Sequence, residues 1–185
     1  LSLGYIMAAW LVGTGMCLLT LAAGECYFAI QGYGLLGASC LFKLAGMIAL
    51  NTFVFSAIAY LLALFVHNSS AWSGLLTIIG TLVGFVGGIY LPMDSLSEHV
   101  RSVLKCLPVL HGAAMMRKVC TQEAIAETFS GLPEMAGDAF REAMGISVSA
   151  GDHMISVGEQ VLFLLFYAII AVGAASAFSR RKRLE

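Results

Sequence analysis

The chain has 185 residues, of which 59% are hydrophobic and only 11% are charged, and its formal net charge is −1. Soluble domains carry charge on about 25% of their residues, so this composition excludes an ordinary soluble domain and indicates a membrane protein. No basic patch is interleaved with aromatic residues, so nothing in the charge pattern indicates a nucleic-acid partner.

Four stretches of the chain are long and apolar enough to cross a bilayer. A hydrocarbon core about 30 Å thick needs about 20 apolar residues of helix. Glycine-rich or polar turns separate the first three stretches, at residues 31–37 and 67–74. The predicted spans are residues 3–30, 41–66, 71–91 and 155–178.

The last span is followed directly by four basic residues, at positions 180–183. Cytoplasmic flanks of membrane spans are enriched in lysine and arginine, so this cluster predicts a cytoplasmic C-terminus for a multi-pass membrane protein. The chain then divides into three spans at 1–92, an external helical region at 93–154, and the last span with its basic tail at 155–185.

Glycines recur every four residues along the third span, at Gly80, Gly84 and Gly88, and Gly87 widens the stripe. Small residues at this spacing let another helix approach closely inside a membrane. The stripe therefore predicts a close helix contact. That contact is either a moving interface between subunits or ordinary packing within one subunit.

Three charged residues lie within the predicted spans. Glu25 and Lys43 flank the outer turn, and Glu159 lies about one turn into the last span. A charge at membrane depth is costly unless it reaches water or a partner. These residues are therefore candidates for charges along a transport path, with snorkelling to the surface or simple pairing as the alternative.

The external region begins with an amphipathic segment that stops at a proline. Ser95-x-x-Glu98 has the pattern of a capping box and predicts a helix that starts at Ser95. Pro108 ends this helix, and a second short helix is predicted over residues 110–120. Neither helix is long enough to span, so the pair forms a broken hairpin that either lies on the outer surface or re-enters the membrane.

Two further helices are predicted before the last span, over residues 121–129 and 133–144. Pro133 suits the start of the second helix, and Gly145 suits its end. Together they predict a small helical cap. The predicted fold class is therefore an all-α membrane protein with four transmembrane helices, a broken re-entrant or external hairpin, and a helical cap before the last span.

The residue types that carry enzyme or metal chemistry form no recognisable arrangement. His99, Cys106, His111 and Cys120 do not have the spacing of a zinc site, and Cys106 with Cys120 could instead form a disulfide across the proline. The sequence has no G-x-x-x-x-G-K-[ST] phosphate loop and no G-x-S-x-G or H-E-x-x-H motif. We therefore expect no catalytic site, no metal site and no ATP site in this chain.

The order of motifs after the third span resembles the last part of an ATP-binding-cassette (ABC) transporter permease of the type-2 exporter class. A span ends in G-G-x-Y-x-P, an amphipathic helix follows, and L-P-x-x-H opens a short helix that ends in arginine. The resemblance extends over essentially the whole chain. It corresponds to about the C-terminal two thirds of a six-span permease, so we expect two further spans in the complete protein. The matching residues are Gly87, Gly88, Tyr90, Pro92, Leu107, Pro108, His111 and Arg117.

The resemblance implies a membrane subunit of an ATP-driven exporter, with no enzyme activity of its own. Two permease copies in the lipid bilayer would form the path, and separate ATPase subunits would bind ATP and magnesium. Drugs, as in multidrug efflux, and also peptides, lipids or glycans, fit this class equally well. A non-transporting membrane scaffold or sensor subunit is the alternative. The hairpin would act as an external gate through Gly88, Tyr90, Pro92, Leu107, Pro108, His111 and Arg117.

Overall fold

The computed structural model describes residues 2–88, 95–131, 133–150 and 153–181 of the chain. Within these ranges the structure consists of α-helices and one short two-stranded sheet, as an all-α membrane protein requires. The helices are α1 (Ser2–Ile30), α2 (Ala38–Ala63), α3 (Ser69–Val86), α4 (Glu98–Leu104), α5 (Pro108–Thr128), α6 (Glu134–Ala143) and α7 (Val157–Arg181), and the strands are β1 (Ser149–Ala150) and β2 (His153–Met154).

The four predicted spans are confirmed. Among the described residues, α1, α2, α3 and the Val157–Ser179 part of α7 are long and apolar enough to cross a membrane. Most of the side chains on these helices are exposed within the single chain, as expected for surfaces that face lipid or another subunit. The predicted fold class, four spans with a helical hairpin and cap before the last, therefore agrees with the structure.

The described residues form two compact units, and α7 contributes to both. The first unit contains the chain up to Trp72 together with the part of α7 from Leu164 onward. Its core includes Ile6 of α1, Ala57 of α2 and Ala171 of α7. Alanines at buried positions of α2 and α7 let the helix backbones approach closely, which favours packing in lipid.

Neutral polar side chains join α1 to α2 in this first unit. The indole nitrogen of Trp10 donates a hydrogen bond to the backbone oxygen of Ala49, at 2.8 Å. One turn further along, the hydroxyls of Thr14 and Thr52 lie 2.7 Å apart. Hydrogen bonds of this kind between membrane helices contribute about 0.6–2 kcal/mol each, so they reinforce the packing of α1 on α2.

The second unit runs from Ser73 to Phe163 and contains the hairpin and the cap. Its core is built around Leu104, Leu110 and Val148. Val86 at the end of α3 and Ile155, just before α7, pack against the same cluster. The hairpin core therefore lies at the ends of two membrane-length helices of this unit.

The predicted start of a helix at Ser95 is wrong. The helix begins at Glu98, and its N-cap is Ser97, whose side chain makes no capping hydrogen bond. Ser97 has extended backbone angles, φ −61° and ψ 151°, which place the change from turn to helix two residues later than the motif suggests. A motif of four residues does not predict the turn that precedes the helix, and this turn determines where the helix begins.

The predicted division of residues 110–129 into two helices is also wrong. The structure has one continuous helix, α5, from Pro108 to Thr128. The residues at the expected break, TQEAIAE, include strong helix formers and no glycine or proline, so nothing ends the helix there. The next helix, α6, follows Pro133 closely, and Gly145 after its end has the positive φ of 63° that glycine adopts readily.

A short β-hairpin between α6 and α7 was not predicted. Ser149 pairs with Met154 and Ala150 with His153 in antiparallel register. The hairpin is followed at once by the start of α7, and the backbone nitrogen of Ile155 donates to the oxygen of Val148, at 2.9 Å. This pairing holds the entry to the last span against the core of the second unit.

Candidate functional site

The turn between α4 and α5 is positioned by Pro108. Proline lacks the backbone N–H and has a fixed φ, so it fits the first position of α5, and it forces the preceding residue to be extended. Leu107 accordingly has φ −97° and ψ 137°. The side chains of Leu107 and Leu110 then join one apolar cluster, so the break in the helix becomes part of the core of the second unit.

His111 closes this turn from inside. Its ring is only 2% exposed, and its Nε2 lies 2.8 Å from the backbone oxygen of Lys105. A carbonyl oxygen can only accept a hydrogen bond, so Nε2 carries the proton and donates it. The bond joins the first turn of α5 to the residue that follows α4, and His111 therefore fixes the geometry of the hairpin.

The other side of the His111 ring packs on the last span. The ring centroids of His111 and Phe163 are 4.4 Å apart at an angle of 49°. Phe163 follows Val157, the first residue of α7, by about 9 Å along the helix axis. The imidazole therefore lies beside the first turns of α7 and not beyond its end.

Two buried acceptor atoms lie on the two helices that this contact joins. Nδ1 of His111 and Oε1 of Gln160 are both buried and have no hydrogen-bond partner among the described residues. Gln160 is 3% exposed and lies three residues before Phe163, so both residues share one face of α7. An unsatisfied buried acceptor costs about 1–3 kcal/mol. The site therefore holds polar groups whose hydrogen bonding is incomplete in this conformation.

Gln160 was not among the predicted site residues, because candidates within the last span were sought only among its charged residues. The available signal was the pattern on the helix. Gln160 is followed at helical spacing by Leu164, Ala168 and Ala171, all of which are buried. An uncharged polar residue on the buried face of a span is as informative as a charge on that span.

Arg117 lies two turns further along α5. Its Nη1 lies 3.5 Å from the backbone oxygen of Met144, which follows α6. Partial burial lowers the pKa of the Arg117 guanidinium from its ordinary value. A contact this long is weak, so Arg117 marks the side of α5 that faces the end of α6 without fixing it firmly.

The glycine stripe of α3 divides into packed and open positions. Gly84 and Gly87 are buried, whereas Gly80 is exposed and a Cβ there would meet no described atom within 4 Å. Gly88 ends the helix with φ 65°, a left-handed conformation that favours glycine. The stripe thus combines packing within the chain, one open position and a helix end.

Two residues of the predicted gate, Tyr90 and Pro92, lie outside the described residues. The remaining members, from Leu107 to Arg117, are brought together on and before the first half of α5. This half is largely buried, including the small residues Gly112 and Ala114, whereas the second half from Lys118 onward is mainly exposed. The N-terminal half of α5 is therefore packed, and its C-terminal half is exposed to solvent.

The structure shows the surroundings of the three charged residues that were predicted along a transport path. Oε2 of Glu25 accepts a hydrogen bond from the backbone nitrogen of Leu36, at 3.1 Å, so this carboxylate holds the turn between α1 and α2. Lys43 is exposed on the first turns of α2. Glu159 is also exposed and forms part of a cap at the start of α7.

Ser156 and Glu159 form the capping box that sequence reasoning assigned to another serine. The Glu159 carboxylate accepts from the backbone nitrogen of Ser156, at 2.6 Å, and the Ser156 hydroxyl accepts from the backbone nitrogen of Glu159, at 3.3 Å. The same carboxylate lies 3.1 Å from Nε2 of His153 in β2. Glu159 thus satisfies the orphan donors at the start of the last span.

The thiols near the proline turn are not joined. Within the described part of the chain Cys106 and Cys120 form no disulfide, and both side chains are exposed. Cys106 lies 3.6 Å from the backbone oxygen of Ser102 in α4. The hairpin is therefore held by its apolar core and by His111 and not by a covalent bond.

Comparison with known proteins gives one finding. A family model described as ABC-2 family transporter protein matches residues 1–178 of the chain. Neither the curated proteins nor the solved structures that were searched gave a match. The family match includes the whole hairpin and cap and nearly all of α7, and it confirms the resemblance drawn from the motifs around Pro108.

Proposed function

The chain belongs to the ABC-2 family of transporter proteins, and on this premise we propose that it is the permease subunit of an ATP-driven exporter. The family assignment makes it a membrane component of an ABC transporter. In the proposed assembly, separate ATPase subunits bind ATP and magnesium, and two permease copies in the lipid bilayer enclose the path. The absence of a phosphate-loop motif from the sequence supports this division of labour.

The proposal also specifies on which side of the membrane the hairpin and the cap lie. The basic residues that follow the last span, at positions 180–183, lie in the cytoplasm, so the hairpin and cap lie outside a plasma membrane. Substrate then leaves the cytoplasm and passes the hairpin last. Drugs, peptides, lipids and glycans remain equal candidates, because the described side chains offer no selective site along the spans.

The hairpin acts as the external gate in this mechanism. The observation that carries the proposal is the contact of His111 with Lys105 on one side and with Phe163 of α7 on the other. A rigid helix that tilts when the ATPases close would carry this turn with it. Coupling then passes through packed side chains and needs no chemistry inside the membrane.

The incomplete hydrogen bonding of Gln160 and His111 fits a gate with two states. Each buried acceptor without a partner raises the free energy of this conformation by about 1–3 kcal/mol. A second arrangement that supplies water or a donor to these atoms gains that amount back. In the proposed mechanism ATP binding shifts the population toward the arrangement that the closed ATPases favour.

The test uses the permease purified with its ATPase subunits in nanodiscs. With the other cysteines replaced, Cys120 is labelled by a membrane-impermeant maleimide with and without ATP, magnesium and vanadate. We expect nucleotide to change the labelling rate, and we expect His111→Ala to reduce that change about tenfold because the turn is released from α7. His99→Ala is the matched control, because His99 is an exposed histidine of α4.

Two results would contradict the proposal. If no ATPase subunit copurifies and nucleotide has no effect, the scaffold or sensor role replaces transport. If His111→Ala and His99→Ala behave alike, the hairpin is not the gate. The same thiol also reports the topology of the chain. We expect Cys120 to be labelled from outside intact cells, and labelling from the cytosol alone would reverse the proposed topology.

A further inference from the structure

An open cleft of about 310 Å³ lies in the cap, on the solvent-exposed C-terminal half of α5. Its walls come from α5, from α6 and from the segment around the β-hairpin, and all of them belong to the second compact unit. The cleft is separate from the contact between His111 and α7. Its size is at the lower end of the range of small-molecule sites in proteins, which is about 300–1,000 Å³.

The charged groups of this cap cleft have a positive excess. Lys118 and Arg141 line it together with one carboxylate, Asp138. Nη1 of Arg141 donates to Oδ1 of Asp138 at 2.8 Å, so the guanidinium is held in place by one of its five donors. Lys118 is exposed and forms no ion pair with any described residue. The cleft thus offers a fixed cation and a mobile one to an anion.

Apolar side chains also line the cap cleft, beside the polar Thr121, Gln122 and Ser147. Ile125 and Ile146 line it, and each is only 5% exposed. Met154 of β2, which is 50% exposed, provides a flexible apolar side chain at the rim. A ligand that satisfies both the charged and the apolar side chains needs an anionic head and an apolar portion of a few carbon atoms.

The position of the cap cleft relates it to a membrane interface. Ile155 lines the cleft and also packs in the core cluster with Val86 at the end of α3. It lies two residues before α7, one of the helices able to span the bilayer. The cleft is therefore at the level where a membrane-length helix begins, and lipid headgroups lie at that level in a bilayer.

We propose that the cap cleft binds an anionic amphiphile. Its phosphate or carboxylate head contacts Lys118 and Arg141, and its first methylene groups lie on Ile125 and Ile146. The same chemistry is offered by an anionic membrane lipid and by a soluble single-chain amphiphile. The proposal requires only the second unit and stands whether or not the chain exports a substrate.

The test is a calorimetric titration of the full protein in zwitterionic phosphatidylcholine nanodiscs with hexyl phosphate, with empty nanodiscs as the blank. We expect saturable binding, and inorganic phosphate is expected to bind at least about tenfold more weakly because it cannot use the apolar side chains. Lys118→Gln and Met154→Glu are expected to weaken hexyl phosphate binding about tenfold, by removing a cation and by adding an anion.

Two matched controls separate charge from folding. Met154→Gln changes the same side chain without adding charge, and Lys105→Gln removes a cation of the second unit that does not line the cap cleft. Both are expected to bind hexyl phosphate within about twofold of the unaltered protein, since neither alters the charge of the cleft. Equal binding by all four variants, or inorganic phosphate that binds as tightly as hexyl phosphate, would overturn the proposal.

A second arm identifies the source of the ligand. The titration is repeated in nanodiscs that contain phosphatidylglycerol. If the anionic lipid occupies the cap cleft, the apparent affinity for hexyl phosphate falls about tenfold in the unaltered protein and changes little in Lys118→Gln. Unchanged affinity supports a soluble amphiphile as the occupant, because the bilayer lipid then does not compete for the site.

Discussion

The two compact units differ in how completely their buried polar groups are hydrogen-bonded. In the first unit Asn51 is 6% exposed, and its Nδ2 donates to the backbone oxygen of Met47 at 2.9 Å. In the second unit His111 and Gln160 are buried as deeply, but each keeps an acceptor atom without a hydrogen-bond partner among the described residues. The first unit is thus satisfied as it stands, whereas the second carries a cost that a second conformation can remove.

This difference indicates where a conformational change should begin. The helices of the first unit are joined by hydroxyl and indole hydrogen bonds that any relative movement would break. The contact of α5 with α7 in the second unit includes the ring pair of His111 and Phe163. Separating α1 from α2 would therefore break hydrogen bonds between helices, whereas this ring pair is a packing contact.

The largest expected effect comes from the hairpin core. Leu110→Ala removes a side chain that is 2% exposed, and we expect it to lower the free energy of unfolding by about 2–5 kcal/mol through the cavity it leaves. Val103→Ala, at a residue that is 63% exposed, should change it by less than about 0.5 kcal/mol. Thermal unfolding in detergent measures both. Equal shifts would show that the hairpin is not packed as described.

A pair of substitutions tests the contrast between the units directly. Gln160→Leu removes an unsatisfied acceptor and fills its space, so we expect stability to rise by about 1 kcal/mol. Asn51→Leu removes a bonded polar group, so we expect stability to fall by about 1 kcal/mol. The measurement is the unfolding midpoint of the two purified variants. Shifts in the same direction would remove the distinction between satisfied and strained units.

The capping box gives a prediction of similar size. Ser156→Ala removes one half of the reciprocal cap on α7, and we expect a loss of about 0.5–2 kcal/mol. Ser97→Ala is the matched control, because Ser97 is an N-cap whose side chain makes no capping bond, and its loss should stay below about 0.5 kcal/mol. If the control variant loses as much stability, the cap on α4 functions in spite of its geometry.

The smallest expected effect concerns the open glycine of α3. Gly80→Ala places a methyl group where no described atom lies within 4 Å, and alanine is the better helix former. We expect the isolated protein to gain about 0.5–1 kcal/mol in unfolding free energy. A loss that appears only in the assembled complex would locate Gly80 at a contact with a second subunit.

The features that follow from long apolar runs or from proline were predictable. The spans are set by bilayer thickness, and the break at Pro108 is set by the proline ring. Features that depend on a choice between equivalent local motifs were not. Ser95 and Ser156 both stand three residues before a glutamate, but α4 begins at Glu98 with Ser97 as its N-cap, whereas Ser156 and Glu159 form the reciprocal bonds at the start of α7.

The candidate site was predictable only in part, for a related reason. His111 was identified through its motif, but its contact with Phe163 joins positions far apart in the sequence, and no local pattern reports such a contact. Gln160 is a single uncharged polar residue whose hydropathy is averaged out over a long apolar run, so its place on the buried face is what reveals it. The β-hairpin at Ser149–Met154 is too short to produce the alternation that predicts strands.

The reciprocal cap of Ser156 and Glu159 has a consequence for the last helix as a mechanical element. Terminal turns of helices normally fray, and their amides exchange with solvent within short times. A capped first turn opens less often than an uncapped one. Hydrogen exchange at the Glu159 amide should therefore be slow, and Ser156→Ala should speed it, because that substitution removes the acceptor of this amide.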